Sequence, residues 1–318
     1  MLYIALFLVS FFFSLISIHF YRKLNESRKI AIGVDINKED QRKICEGTGI
    51  ALLSGIWFAL AVFFAFKGIR IELIAWGLLL SIFSVIGFID DAKPKFVKSI
   101  IGWRARALPI GLIAFAFAFF FSPNIFWVIP IALYIAGLAS FENTFAGLNG
   151  WSGGSGLIIA IASSILLFGT PYFSLGLILV ASIIAFLCWN KYPSRVLEGD
   201  AGTLLIGSAI AGLFVLTKQI HLMAFSLLFF IPHIIDFFFL KMLTNPKDAT
   251  QQKMRPYALL KDGRIATPEY SDKRIRYDFA KLVIRIFDPL KEWKIVLIIW
   301  IIVALNCVLW LAVYSKFF

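Results

Sequence analysis

Three short polar stretches interrupt a chain otherwise built of apolar runs, and each holds residue types suited to phosphate and a divalent cation. The first is Asp90-Asp91, which ends the run "WGLLLSIFSVIGFIDDAK". Adjacent like charges repel, carboxylates beside hydrocarbon are costly to bury, and the helix dipole opposes acids at a helix C-terminus. Lys93, Lys95 and Lys98 follow closely and offset that cost, so the stretch reads as a mixed-charge site at a wet helix end. An ordinary solvated helix end is the plainer reading. The second stretch is Gly199-Asp200-Ala201-Gly202-Thr203, directly ahead of an apolar helix. Asp200 fits an N-cap there. The same place suits a divalent cation carrying a diphosphate, because glycines admit close backbone approach and a helix N-terminus favours anions. The third, "FENTFAGLNGWSGGSG", sets Asn143 and Asn149 among glycines. Read structurally it is a glycine-rich turn; read chemically, its carboxamides can ligate Mg2+ and hydrogen-bond a uracil edge.

Other candidates carry less. His233 and Asp236 are three apart on one face of an apolar helix, and intramembrane ionisable residues default to a functional hypothesis. A buried structural pair accounts for them equally well. His19 and His221 sit at membrane edges. Cys45, Cys188 and Cys307 are scattered without a CxxC pair, which suggests neither a disulfide framework nor a zinc site.

The elements that must position these residues are membrane helices. The 318-residue chain is 60% hydrophobic with 34 Phe, and its mean hydropathy is +0.86. A bilayer crossing takes about 20 apolar residues. Ten such stretches occur, near 2–19, 49–66, 71–89, 106–121, 125–142, 156–169, 172–189, 201–217, 220–240 and 295–314, the sixth being short. The expected fold is an all-α polytopic membrane protein, one domain over 1–318. Before the last span, "MRPYALLKDGRIATPE" reads as a hairpin around Asp262-Gly263. Ile275, Phe279, Leu282 and Ile286 then recur at helical spacing among Lys and Arg, which predicts a helix lying in the membrane interface. The first span lacks a basic leader and a small-residue cleavage site, and is expected to be a retained helix.

Net charge is +12, and its placement decides its meaning. Of 31 Lys and Arg, 27 fall within 22–43, 93–106, 191–195 and 241–294; only Lys67, Arg70, Lys218 and Lys316 fall on the other side of the ten spans. The positive-inside rule then makes the loops near 22–48, 90–105, 143–155, 190–200 and 241–293 cytoplasmic. Basicity therefore reports topology and attraction for anions, not a nucleic-acid patch, since no soluble reading module is present. Acidic residues gather on the same face; only Glu72 lies clearly outside. A transporter needs polar groups near the midplane and gates on both sides. An ion-coupled transporter with His233, Asp236 and Glu142 as its path is thus the competing reading to an enzyme working at the cytoplasmic surface.

Together, the Asp pair after an apolar helix, the turn "NTFAGLNG" and the segment "KYPSRVLEGD" resemble the polyprenyl-phosphate N-acetylhexosamine-1-phosphate transferases, glycosyltransferase family 4. The likeness is strongest to the eukaryotic and archaeal dolichyl-phosphate GlcNAc-1-phosphate transferase branch, whose first inner loop "GVDINKEDQRKICEGTGI" resembles. It spans about 33–205, with four inner loops in order. Short outer loops and richness in Ile, Lys and Phe favour an archaeal member. The resemblance implies Mg2+-dependent transfer of GlcNAc-1-phosphate from UDP-GlcNAc to polyprenyl phosphate with release of UMP, Mn2+ being the substitute metal. It implies Asp200 and Asn143 as metal ligands, Asn149 and Gly147 at uracil, and Asp90 and Asp91 near the lipid phosphate. Lys98 is the implied phosphate-neutralising lysine, at a shorter spacing than in the eukaryotic enzymes, with Lys95 as its substitute. Asp35, Asn37, Lys38 and Glu46 would border the nucleotide, with Arg195 beside them in the specific motif. Leu197 stands where an aromatic can cover uracil, and Lys253 and Arg255 are offered to diphosphate or sugar. The bacterial branch's His cluster is absent, which argues against a muramyl-pentapeptide transferase. The same transfer with another N-acetylated UDP-sugar is the nearest alternative. The expected partners are both substrates and the lipid bilayer, with the oligomeric state left open, a homodimer included.

Overall fold

The computed structural model describes residues 1–35, 37–92, 104–243, 257–267 and 277–317. Lys93, Lys95, Lys98, Lys253, Arg255 and Ile275 lie outside them. The described chain is mostly helical. Helices α1 (Leu2–Arg28), α2 (Gly49–Lys67), α3 (Ile71–Ala92), α4 (Arg104–Phe121), α5 (Val128–Thr144), α6 (Trp151–Leu166), α7 (Phe173–Asn190) and α8 (Gly199–Leu216) follow in order. The ninth span, α9 (Ile220–Met242), is irregular: a 3-10 turn at Leu227–Phe230 precedes Pro232, and Ile235–Met242 is π-helical. A short helix α10 (Phe279–Phe287) precedes the last span, α11 (Glu292–Phe317). Among the described residues eight helices are long and apolar enough to cross a membrane, and two shorter apolar ones complete the expected ten. This bears out an integral, all-α membrane protein.

Helix α8 is the most buried span, and the first and last are the least. It packs against α3, α5, α2 and α6. Its small residues explain this position, since interhelical contact in lipid rests on close backbone approach rather than on a hydrophobic drive. At Gly87 of α3 an added Cβ would lie 2.4 Å from the Asp200 carbonyl, so these helices cross where only glycine fits. The segment 151–156, expected as part of a glycine-rich turn, is instead the first turns of α6. Its glycines serve packing: the Trp300 indole of α11 lies where a Gly154 side chain would stand.

Two small sheets cap the end where the polar loops gather. Strands β1 (Ile32–Val34) and β2 (Lys43–Cys45) pair antiparallel, and Cys45 bridges to Val196. The first inner loop is thereby held against the loop leading into α8, helped by Arg42 donating to the Ser194 carbonyl at 2.9 Å. The expected hairpin is present as β3 (Ala258–Leu259) and β4 (Arg264–Ala266), which adds β5 (Leu290–Lys291) just before α11. The amphipathic stripe of α10 is rotated from the expected one. Phe279, Ala280, Val283 and Ile284 are buried, Leu282 is half-buried and Ile286 is exposed.

Candidate active site

The Asp pair splits at the end of α3. Asp91 is buried, and its carboxylate accepts the backbone N–H groups of Asp200 at 2.9 Å and Ala201 at 3.0 Å. It therefore caps α8 from a neighbouring helix, satisfying donors that the first turn leaves open. This corrects two expectations. Asp200 is not the cap of its own helix, and Asp91 is not at a wet helix end. Gly199 makes the contact possible: its φ is +64°, and a Cβ there would fall 2.2 Å from Asp91 Oδ2. Asp90, half-buried, faces the other way, with Oδ2 3.1 Å from Arg106 Nη1.

Arg106, near the start of α4, also bonds Asp200 Oδ2, so one guanidinium joins the two carboxylates. Asp200 Oδ1 accepts from Asn143 Nδ2 at 2.8 Å, and Asn143 also donates to Thr203 Oγ1 at 2.8 Å. The donor set suits Mg2+, a hard cation that takes carboxylate and carboxamide oxygens and shares its sphere with substrate phosphates. Arg106 stands in for such a cation by balancing Asp90 and Asp200. Among the described residues no group of three or more His, Cys, Asp or Glu gathers as a metal cluster, in keeping with a site whose other ligands come from substrate. The fit is good for a metal held by Asp200 and Asn143, once the Asn143 carboxamide turns its oxygen inward.

Beside this cluster lies a cavity of about 250 Å³, lined by Asp35, Asn37, Glu46, Asn143, Gly147, Asn149, Leu197 and Asp200 among others. The structure thus brings eight of the expected residues to one place. Asn149 Nδ2 donates to Asp35 Oδ2 at 3.0 Å, and Asn37 Nδ2 donates to the Gly147 carbonyl at 3.1 Å. Lys38 sits behind the cavity wall, bonded to Glu292 at the head of α11. Glu292 also accepts the Asn149 backbone N–H at 2.8 Å. The cavity includes Glu198, whose carboxyl burial pushes up while its bond to the Ser152 hydroxyl partly counters. Tyr257 of the hairpin donates to Asp278 at 2.9 Å and lies against Gly147, and burial raises its hydroxyl well above the usual range.

Arg195 does not reach the cavity. It is exposed, with its guanidinium 6.0 Å from the Trp189 ring. His233 and Asp236 do not pair with each other. His233 Nε2 lies 3.1 Å from Glu142, and Asp236 lies 2.7 Å from Lys241 while accepting the Phe279 N–H at 2.7 Å. Asp236 thereby anchors the start of α10. Sequence reading missed Arg106, Thr203, Glu198 and Glu292 as site residues. Arg106 had a signal, a charge at the head of a membrane helix. Glu292 had a weaker one, an acid in a first helical turn, where the dipole favours it.

Residues 73–218, which carry Asp90, Asp91, Asn143, Asn149 and Asp200, match the model of the family described as Glycosyl transferase family 4. That match bears out the resemblance: over these residues the chain is similar to the phosphosugar transferases of this family. Among its relatives, a protein named as a glycosyltransferase from Methanocaldococcus jannaschii is 29% identical, covering 93% of this chain and 91% of the relative. A Saccharolobus solfataricus protein named as a UDP-N-acetylglucosamine–dolichyl-phosphate N-acetylglucosaminephosphotransferase is 28% identical, covering 92% and 91%. A phospho-N-acetylmuramoyl-pentapeptide-transferase from Halalkalibacterium halodurans is 25% identical over 60% of this chain and 68% of its own.

Proposed function

We propose that this protein transfers N-acetylglucosamine-1-phosphate from UDP-N-acetylglucosamine to a polyprenyl phosphate of the dolichyl type and releases UMP. The reaction would be the first step of lipid-linked oligosaccharide assembly for protein N-glycosylation, run on the cytoplasmic face. The observation that carries the reading is the joining of Asp90, Arg106, Asp200 and Asn143 beside a cavity walled by Asp35, Gly147 and Asn149. The name of the Saccharolobus relative, similar over nearly the whole length, supports the same substrates.

In this reading an oxygen of the lipid phosphate attacks the β-phosphorus of the nucleotide sugar. The bond from that phosphorus to the bridging oxygen breaks, and UMP leaves with the electron pair. Such a transfer needs positioning and charge neutralisation more than covalent help. Asp200 and Asn143 would hold Mg2+, or Mn2+ in its place, which when bound neutralises phosphate oxygens and polarises phosphorus. Arg106 supplies a fixed positive charge at the same point, and Asp90 holds it in place between substrates. Asn149 and Gly147 border the base, and Lys98, Lys253 and Arg255 remain proposed phosphate or sugar contacts. The basic rim draws in both anionic substrates, and the apolar helices flank the polyprenyl chain.

A second reading keeps the reaction but changes the sugar. It is favoured by relatives named for transfer of a muramoyl-pentapeptide phosphosugar. One assay tests both: purified protein with polyprenyl phosphate and Mg2+, offered a panel of UDP-N-acetylated sugars. UMP release with UDP-N-acetylglucosamine supports the first reading, and release only with another sugar supports the second. Release with none of them refutes both.

A further inference from the structure

Asn149 is held by two carboxylates, one on its carboxamide and one on its backbone. Its Nδ2 donates to Asp35 Oδ2 at 3.0 Å, and its backbone N–H donates to Glu292 Oε1 at 2.8 Å. All three residues are at least nine-tenths buried. Carboxylates accept and amides do both, so this neighbour settles the amide's orientation. Turned over, Asn149 would set its oxygen against the Asp35 carboxylate. Asp35 is itself fixed between Arg42 at 3.6 Å and Lys38 at 3.9 Å, and Lys38 is bonded in turn to Glu292.

The result is a one-sided surface. With Nδ2 turned to Asp35 and the backbone N–H held by Glu292, the acceptor that Asn149 keeps for a ligand in the cavity is Oδ1, which has no hydrogen-bond partner among the described residues. A second, independent oxygen repeats the pattern. Asn37 donates its Nδ2 to the Gly147 carbonyl, and its Oδ1 is buried without a partner on the same cavity wall. A buried acceptor left unpaired costs free energy until a ligand brings a donor.

We infer that Asp35 and Glu292 set base specificity by locking Asn149 as an acceptor, so that the cavity takes a pyrimidine with N–H at position 3. Uracil carries that hydrogen between its two carbonyls. Cytosine has a lone pair there and meets Asn149 Oδ1 with repulsion. The ribose hydroxyls of the same nucleoside supply donors for Asn37. This inference rests on the nucleotide-sugar reading above and names Asp35 and Glu292 as positioning residues behind the contacting one.

The decisive experiment is equilibrium binding of UMP, CMP and 3-methyl-UMP to the intact purified protein. UMP is expected to bind roughly 10- to 100-fold more tightly than either analogue, the scale of one buried donor–acceptor mismatch. In Asp35→Asn the neighbour offers a donor or an acceptor, the Asn149 amide turns freely, and the UMP preference over CMP collapses to within about threefold. Glu292→Gln keeps an acceptor for the Asn149 N–H and preserves the preference; Glu292→Ala lowers it. Wild-type protein that binds CMP or 3-methyl-UMP as well as UMP overturns the inference, and so does an Asp35→Asn protein that keeps full preference. If Asp35→Asn fails to fold, the three-nucleotide comparison on wild type still decides. Binding of none of the three refutes the nucleotide reading itself and takes this inference with it.

Discussion

Replacing Asp91 with Asn separates a capping carboxylate from a catalytic one. The Asp91 oxygens accept the N–H groups of Asp200 and Ala201 at 2.9 and 3.0 Å in a buried junction between α3 and α8. Asparagine has one oxygen, so one N–H loses its acceptor and meets an NH2 group instead. An orphaned buried donor costs about 1–3 kcal/mol. The carboxylates of Asp200 and Glu46 face Asp91, and removing its charge relieves part of their repulsion. A net loss of about 2 kcal/mol then lowers the melting temperature by roughly 4–8 °C, at 2–4 °C per kcal/mol for a chain of this order of size. Asp90 faces Arg106 rather than the backbone N–H groups that Asp91 accepts, so Asp90→Asn should melt within about 1 °C of wild type. The assay is tryptophan-fluorescence melting of detergent-solubilised protein, all variants at one scan rate, because unfolding of such a protein is read as a rate. An Asp91→Asn protein as stable as wild type, or an Asp90→Asn protein equally destabilised, would refute the capping geometry.

The other expectations are simpler. Asp200 makes no capping bond, so Asp200→Asn should leave the melting temperature nearly unchanged while Mg2+-dependent UMP release falls by about 100-fold or more; near-normal turnover would sink Asp200 as a metal ligand. Cysteines placed at Ser27 and Lys261, with the exposed Cys188 removed, should escape an impermeant maleimide applied to intact cells, and labelling from outside would invert the proposed topology. Burial pushes the Cys45 thiol up to about 12, only partly countered by its Asn25 hydrogen bond. Its alkylation at pH 8 should therefore be far slower than that of exposed Cys188, rising about tenfold per pH unit toward that value because only thiolate reacts; equal rates at pH 8 would contradict the buried, protonated thiol.

The spans were legible because a bilayer imposes a long apolar run on each crossing helix, whatever its neighbours. The Asp262-Gly263 hairpin was legible because Gly263 has the positive φ that its turn requires, 76°. The cavity wall was legible through the family resemblance, which pointed to Asp35, Asn37, Glu46, Asn143, Gly147 and Asn149 one loop at a time. What the residues alone hid was set by contacts between distant segments. Glu292 meets Asn149 across 143 positions, and nothing near either residue announces the pair. The glycines after Trp151 read as a turn, since the large side chain filling their surface, Trp300, comes from the far end of the chain. The stripe of α10 was misplaced because its buried face is chosen by what it packs on, including Asp236 and the last span.

The Asp pair shows most plainly where the reading of residues stops. Two adjacent acids look like one motif with one role, and the cost of placing them at a helix end argues for a shared reason. Successive residues on an α-helix nevertheless point about 100° apart. On α3 that turn sends Asp91 into the crossing with α8, where Gly87 and Gly199 have made room, and sends Asp90 toward Arg106. Asp91 fixes the first turn of α8, and that turn carries Asp200, whose side chain meets Arg106 and Asn143. One carboxylate thus holds the frame from which Asp200 projects, while its neighbour shares the same guanidinium with Asp200. Mutating either would diminish transfer, but only Asp91 should do so by moving Asp200, with lost stability as its signature.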